Sequence, residues 1–386
     1  MAVMTGFSGN EIYCLRLKGM TPGELVVGSS VYSLGFVGSL GAVLNTIAGG
    51  EVAQITEIIH EGREQAFQRM VHEAEGHGGA GISGVTSDLR HFHGNVEFLS
   101  VGSTVHVDND SPLHGVANAG KLAFSTAHDA QELYCMVDAG YSPRHFAFGN
   151  VAYSVGLGGG ILGSLKSIGR GEVKEFSDVL NRTRHLALHR TSINAKKYGA
   201  NAVIGISTHV LPFQGVHEML MMGTACYHPQ LPPVTPESLP VTSDMTAEET
   251  WNLAAIGYAP LKLVMGTAVY SLGVVGGIAA ALKSFTRGEI TDLTTLIYDA
   301  REHAIGLIRK EAQAIGADDV VGIRTQIHEM GNFVEFMAVG TAVKRASNMA
   351  PQSPTLPPQA IIRDKDTWIF APGLKESLEA LSKGST

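Results

Sequence analysis

Apolar and polar positions follow the same order three times along this chain: residues 8–107 realign onto 129–228 at a shift of 121, and those onto 246–345 at a shift of 117, without a gap. Each passage opens with a hydroxyl residue followed by acids: Ser8 then Glu11, Ser125 onward to Glu132, and Thr246 with Glu248 and Glu249. Such a run predicts a short capped helix, because the side chains satisfy orphan N–H groups and suit the helix dipole. Gly19 to Pro22, Gly140 to Pro143 and Gly257 to Pro260 read as its stop. An apolar strand is expected over 25–32, 146–153 and 263–270, followed by a Gly-rich helical stretch and then a long helix beginning at a repeated Gly-Glu step. In the third copy Ile290, Leu293, Leu296, Ile297, Ala300, Ala304, Leu307, Ile308 and Ala312 fall at spacings of three and four, one apolar stripe on a helix of about 27 residues. Small residues at Gly62/Ala66/Ala74, Thr183/Ala187/Ala195 and Ala300/Ala304/Ala312 would let that helix lie close to a sheet. Gly78, Gly199 and Gly316 end it, and β-runs follow at 81–92 and 95–107, 202–211 and 216–227, and 319–328 and 332–344, joined by hairpin turns.

A period of about a hundred residues is domain-sized, so the chain reads as three small α+β domains in tandem. Residues 108–124 and the Pro-rich 229–245 read as semi-extended linkers. The tail, 346–386, repeats nothing; its Asp366–Phe370 stretch and a possible helix over Leu374–Leu381 read as a segment docking on its own protein, with recruitment of another as the alternative.

Composition narrows the function. With 386 residues and 44% hydrophobic content the chain can build several cores, and a net charge of −8 with no Lys/Arg cluster argues against nucleic acid or anionic lipid as partner. Three cysteines, Cys14, Cys135 and Cys226, form no CxxC pair and read as buried thiols of a cytoplasmic protein, and no secretion signal is evident. Leu25 to Gly50 runs about 26 residues without a charge, yet six glycines in it, and Lys166 and Lys283 in its counterparts, argue for a buried or oligomer-facing element. A membrane span is not expected, and a peripheral hydrophobic contact is the remaining alternative.

Chemistry encoded in the unit would leave the same reactive residues in every copy. The charged positions identical in all three are Glu51/Glu172/Glu289, Arg63/Arg184/Arg301 and Glu97/Glu218/Glu335. The first set is expected in the first turn of the long helix. The arginines and the last-strand acids could form a bidentate pair within or between protomers. Tyr32, Tyr153 and Tyr270 recur as well, and with the acids could hold a hard cation or a polar ligand in clefts between domains. His185/His189 and His91/His93 could each supply two corners of a metal site, but neither pair recurs. No nucleophile elbow, P-loop or zinc-hydrolase motif is present, so no catalytic residue and no cofactor is expected, a divalent metal being the alternative.

The third copy carries Gly288-Glu289, the run Asp299-Ala300-Arg301-Glu302-His303-Ala304, the run Ala314 to Ile323 and the run Ala338 to Val343, and through these the unit resembles the YbjQ-like family, often labelled heavy-metal-binding. The resemblance implies a dodecin-like domain, a small antiparallel sheet backed by helices, assembling as pentamers. Members are usually single short domains; here three stand in one chain. The expectation is a non-enzymatic, self-assembling homo-oligomer of five chains, or a multiple, forming three fivefold rings, each from the same copy of every chain. A metal-ion or small-ligand binding protein is the alternative.

Overall fold

A computed structural model describes residues 2–33, 50–93, 95–116, 121–154, 171–213, 216–271, 291–330 and 333–360. The Gly-rich stretches after each first strand, Glu289, most of the hairpin tips, and the tail beyond residue 360 with its expected docking helix lie outside the described residues.

Each repeat is built alike. Repeat 1 runs α1 (Gly9–Leu17), β1 (Met20–Ser33), β2 (Gly50–Glu51), α2 (Ala53–Gly76), β3 (Gly81–Phe92) and β4 (Asn95–Val107). Repeat 2 is preceded by β5 (Phe124–Ser125) and holds α3 (Ala130–Asp138), β6 (Ser142–Ser154), β7 (Gly171–Glu172), α4 (Lys174–Lys197), β8 (Ala202–Phe213) and β9 (Val216–Tyr227). Repeat 3 is preceded by β10 (Val241–Thr242) and holds α5 (Ala247–Ala255), β11 (Tyr258–Ser271), α6 (Thr291–Ala314), β12 (Asp319–Met330) and β13 (Phe333–Arg345). Full capping boxes start α1 at Ser8 with Glu11 and α5 at Thr246 with Glu249, whereas α3 is capped by Asp129, not by Ser125. Gly19, Gly140 and Gly257 take the left-handed backbone that reverses the chain into the first strand. The first strands begin earlier than expected, carrying Pro22, Pro143 and Pro260 at a register shift where the ladder is interrupted.

In every repeat the first strand pairs with the last, and the last with its hairpin partner, all antiparallel. The long helix crosses this sheet at a point where only glycine fits: a Cβ on Gly28 would stand 1.9 Å from the Ala66 carbonyl oxygen, and one on Gly149 2.5 Å from that of Ala187.

Two expectations are corrected here. The first two Gly-Glu steps do not open the long helices. Gly50–Glu51 adds to β6 of repeat 2, and Gly171–Glu172 to β11 of repeat 3, so Glu51 and Glu172 are strand residues ahead of their helices. Nor are the inter-repeat segments extended tethers. Phe124–Ser125 lies parallel on the edge of β3, Val241–Thr242 does the same on β8, and Lys196 Nζ holds the carbonyls of Thr235, Pro236 and Ser238. The sheets therefore run β1-β4-β3-β5, β10-β8-β9-β6-β2 and β12-β13-β11-β7, each borrowing strands from neighbouring repeats.

Candidate functional site: the joints between repeats

Because β2 and β5 tie repeat 1 to repeat 2 from both sides, α2 is buried on two faces. One face covers its own sheet; the other lies under β6 and β9. Val52, Ile55 and Ile59 share a core with Ala152, Phe213 and Val216, and Phe67 and Met70 share one with Phe146, Phe148 and Leu220. The second joint repeats the first: Leu180, Ala187 and Leu188 of α4 pack with Leu263, Met265, Val269 and Met337.

The triplicated charges sit inside these joints. Arg63 Nε and Nη2 donate to Glu218 Oε1 and Oε2 at 2.9 and 2.6 Å, a two-pronged pair with neither side chain exposed. Nη1 donates to the Ser87 carbonyl at 2.9 Å and to its Oγ at 3.0 Å, and the guanidinium lies 5.8 Å from the centre of the Phe98 ring. Arg184 and Glu335 meet in the equivalent place across the second joint, with Arg184 over the Tyr153 ring. The arginine of one repeat thus pairs with the acid of the next, and not with the acid of its own repeat. Glu97, in repeat 1, instead accepts a hydrogen bond from Ser29 Oγ at 2.7 Å. Arg301 is exposed and has no ion-pair partner among the described residues.

The remaining recurrent residues lie at the rims. Glu51 forms an ion pair with Arg190 of repeat 2 at 2.7 Å, and Glu172 stands 3.3 Å from His303 of repeat 3. Tyr153 is buried against Arg184, and burial pushes its phenol above the ordinary range. Tyr32 and Tyr270 are half-buried; desolvation, then the charge of Glu61 or Glu172 respectively, raises them too. The acids and tyrosines do not gather into one cleft, and among the described residues no three histidine, cysteine or acidic side chains stand close enough to hold a metal ion. His185 and His189 border a cavity of about 480 Å³ with Lys262, and Glu311 bonds Lys262 at 2.6 Å.

Two features escaped the sequence reading. A cavity of about 1320 Å³ is walled by matching stretches of all three hairpins, including Ser87, Thr208 and Thr325, with His128, Glu132 and Asp244 at its polar side. Desolvation raises the Asp244 carboxyl, partly offset by the Thr341 hydroxyl, while Glu132, despite burial, is held low by His128 at 3.2 Å. The second feature is Asp138, at the end of α3 and fully buried. Its carboxylate accepts from Lys18 Nζ of repeat 1 at 2.6 Å, from the indole of Trp251 in repeat 3 at 2.8 Å, and from Ser353 Oγ at 2.8 Å. Residues after β13 run back over α3 to reach it, and Met349 and Ala360 pack with Cys14 and Cys135. Asp138 has no counterpart in the other copies, where Leu17 and Ala255 stand. An acid closing an apolar helix, where the dipole disfavours it, was the available signal.

Three like α+β domains, joined by exchanged strands and buried ion pairs, define a tandem-repeat scaffold. The chain belongs to the YbjQ family, described as "Putative heavy-metal-binding", whose pattern matches residues 18–108, 143–228 and 253–346. Among its relatives is an encapsulin nanocompartment protein of Mycobacterium tuberculosis, 31% identical over 224 residues that cover 56% of this chain and 82% of that protein. A UPF0145 protein of Methanocella arvoryzae is 37% identical over 97 residues, 25% of this chain and 78% of its own length. One from Archaeoglobus fulgidus is 40% identical over 85 residues, covering 22% and 79%. No described helix is long and apolar enough to cross a membrane.

Proposed function

We propose that this chain is a non-enzymatic, self-assembling cytoplasmic protein, a building block of a closed symmetric particle. One observation carries the reading: the arginine and last-strand acid present in every copy are used to hold one repeat to the next, as Arg63 with Glu218 and Arg184 with Glu335. Residues kept through triplication therefore build interfaces and not a reaction centre. The relative described as an encapsulin nanocompartment protein supports the same reading, and three unpaired buried thiols suit a reducing compartment.

Three fivefold rings, each made from the same repeat of every chain, would have to form through other contacts than these, because within the chain repeat 1 adds to the edge of repeat 2, and repeat 2 to that of repeat 3. A ring continued head to tail through the same joint would instead hold a multiple of three repeats. Native mass spectrometry with particle averaging tests the reading. A defined multiple of chains is expected, five included among the countable outcomes, and a chain that stays monomeric at micromolar concentration would refute self-assembly.

The cavity shared by the three hairpins favours a second reading, binding of a small polar ligand or a divalent cation inside the arc. Saturable calorimetric binding that is lost on replacing Asp244 by Asn would support it.

A further inference from the structure

The chain presents two surfaces that match each other. We infer that the open face of repeat 3 seats on the open face of repeat 1 in a second copy of this chain, reproducing the internal joint head to tail. The inference rests on the self-assembly reading and specifies how it would be achieved.

Three observations point the same way. On repeat 1, Leu25, Val27 and Val31 of β1 are 45%, 43% and 54% exposed. Their counterparts are buried in both internal joints: Phe146, Phe148 and Ala152 beneath α2, and Leu263, Met265 and Val269 beneath α4. Repeat 1 thus carries the receiving face of a joint with no neighbouring helix or hairpin on it among the described residues, only Met4 and Gly6 of its own N-terminal segment reaching Leu25 at one end, and β1 is an edge strand of its sheet.

On repeat 3 the giving face is equally bare among the described residues. Ile323 and Ile327 are each 44% exposed, and Tyr298 on α6 is 63% exposed. The counterparts of Ile323, Val85 and Ile206, are buried against the following repeat. Arg301 stands where Arg63 and Arg184 stand, and Glu97 where Glu218 and Glu335 stand. Each of the two lacks an ion pair among the described residues, and each is the charge that the other's joint requires.

The third observation concerns the segment before each repeat. Phe124–Ser125 and Val241–Thr242 add in parallel to β3 and β8 of the preceding repeat, at Gly81–Ile82 and Ala202–Val203. At the same shifts the segment before repeat 1 is Val3–Met4, and the receiving residues of repeat 3 are Asp319–Val320. Val3 and Met4 are 49% and 77% exposed, and β12 ends its sheet with no added strand among the described residues. Local bonding shows that this segment is already shaped as its counterparts are. Phe7 N donates to Thr5 Oγ1, as His128 N does to Thr126 Oγ1 and Met245 N to Ser243 Oγ. Apolar face, charge pair and edge strand are therefore all complementary, with continuity from two joints already formed within the chain. The contact is heterologous, so it propagates until the arc closes.

Charge reversal tests the joint in the full chain. Both side chains lie at the surface of a single chain, so Glu97→Arg and Arg301→Glu are expected to fold with wild-type melting curves, yet each should dissociate the assembly to single chains. The dissociation constant should rise at least tenfold for each. Mixing the two variants in equal amounts should restore association between unlike chains, because alternating chains carry one reversed pair and one natural pair; the double variant should restore the full assembly. An engineered disulfide between Met4→Cys and Val320→Cys should link different chains. If the wild type assembles while both single variants assemble unchanged, or if mixing fails to rescue and no cross-link forms, the joint is wrong and self-assembly stands. If the wild type itself is monomeric, the underlying reading falls.

Discussion

Replacing Arg63 by Ala removes four hydrogen bonds at once, two to the Glu218 carboxylate and two to Ser87, from a site with no solvent exposure. The larger effect is on what stays behind: Glu218 would be left charged between two apolar cores without a cation. Breaking a buried pair on one side costs about 3–5 kcal/mol, whereas exposed pairs contribute about 0–1. The two-pronged geometry and the flanking Phe98 ring place this pair toward the upper end of that range. Glu218→Ala should cost a similar amount, since it strands the guanidinium. The double replacement Arg63→Met with Glu218→Leu should cost far less than the sum, because no orphan charge remains. Chemical denaturation of the two Ala variants and their double, analysed as a cycle, should give a coupling of at least about 2 kcal/mol. The pair Arg301 and Glu335, in the same analysis of single chains, should give none, since Glu335 pairs with Arg184. A coupling near zero for Arg63 and Glu218, or a large one for Arg301 and Glu335, would refute the pairing of each arginine with the next repeat.

Asp138→Ala should cost on the order of 3–5 kcal/mol, because Lys18 and the Trp251 indole lose a buried acceptor together. Burial alone would raise the Asp138 carboxyl, but its bonds from Lys18, Trp251 and Ser353 outweigh this and hold it below the ordinary aspartate range, so stability should fall as pH drops through the acid range below that and Asp138→Asn should remove the dependence, as read by melting against pH. Asp129 behaves oppositely. Desolvation foremost, with the charges of Glu132 and Glu11, raises its carboxyl to about 6 against the two amide bonds it accepts, so stability is fuller below pH 4 and declines as pH rises through about 6. Asp129→Asn keeps a capping oxygen and should stabilise the chain at pH 7 by on the order of 1–3 kcal/mol, with no gain at pH 4. Calorimetric titration with zinc or copper should not give three equal tight sites per chain, because no histidine or cysteine ligand set recurs in the three copies.

Triplication made most of the architecture legible. Caps at Ser8 and Thr246, the glycine stops and the hairpins followed from local rules that each copy states independently. The same triplication hid the pairing. When every copy carries one arginine and one acid, a pair within a repeat and a pair between successive repeats satisfy the sequence equally well, and only the surroundings of Glu218 and Glu335 distinguish them. The strands β2, β5, β7 and β10 are two residues long, too short for any period to register, so Glu51 was read as helical and the linkers as tethers. The second buried face of α2 was missed for a related reason. Arg63 and Thr56 do not read as apolar, yet both are buried because a polar partner in repeat 2 lies opposite. Asp138 occurs once and therefore leaves no repeat signal.

The position of Asp138 has a consequence for how the chain reaches its native state. Its partners are distributed along the molecule: Lys18 lies 120 residues before it, Trp251 113 after, and Ser353 215 after. During synthesis from the N-terminus, repeats 1 and 2 can dock and the lysine can find the carboxylate early. The indole arrives only with the third repeat, and the serine only after that repeat is complete. The buried charge is thus fully solvated by protein only after the last strand has been made, so a chain stopped short of Ser353 carries a measurable defect at the end of α3, far in sequence from the point of truncation. Contacts of such sequence separation also slow folding relative to the local hairpins. Completion of the third repeat is in this sense sensed within the second.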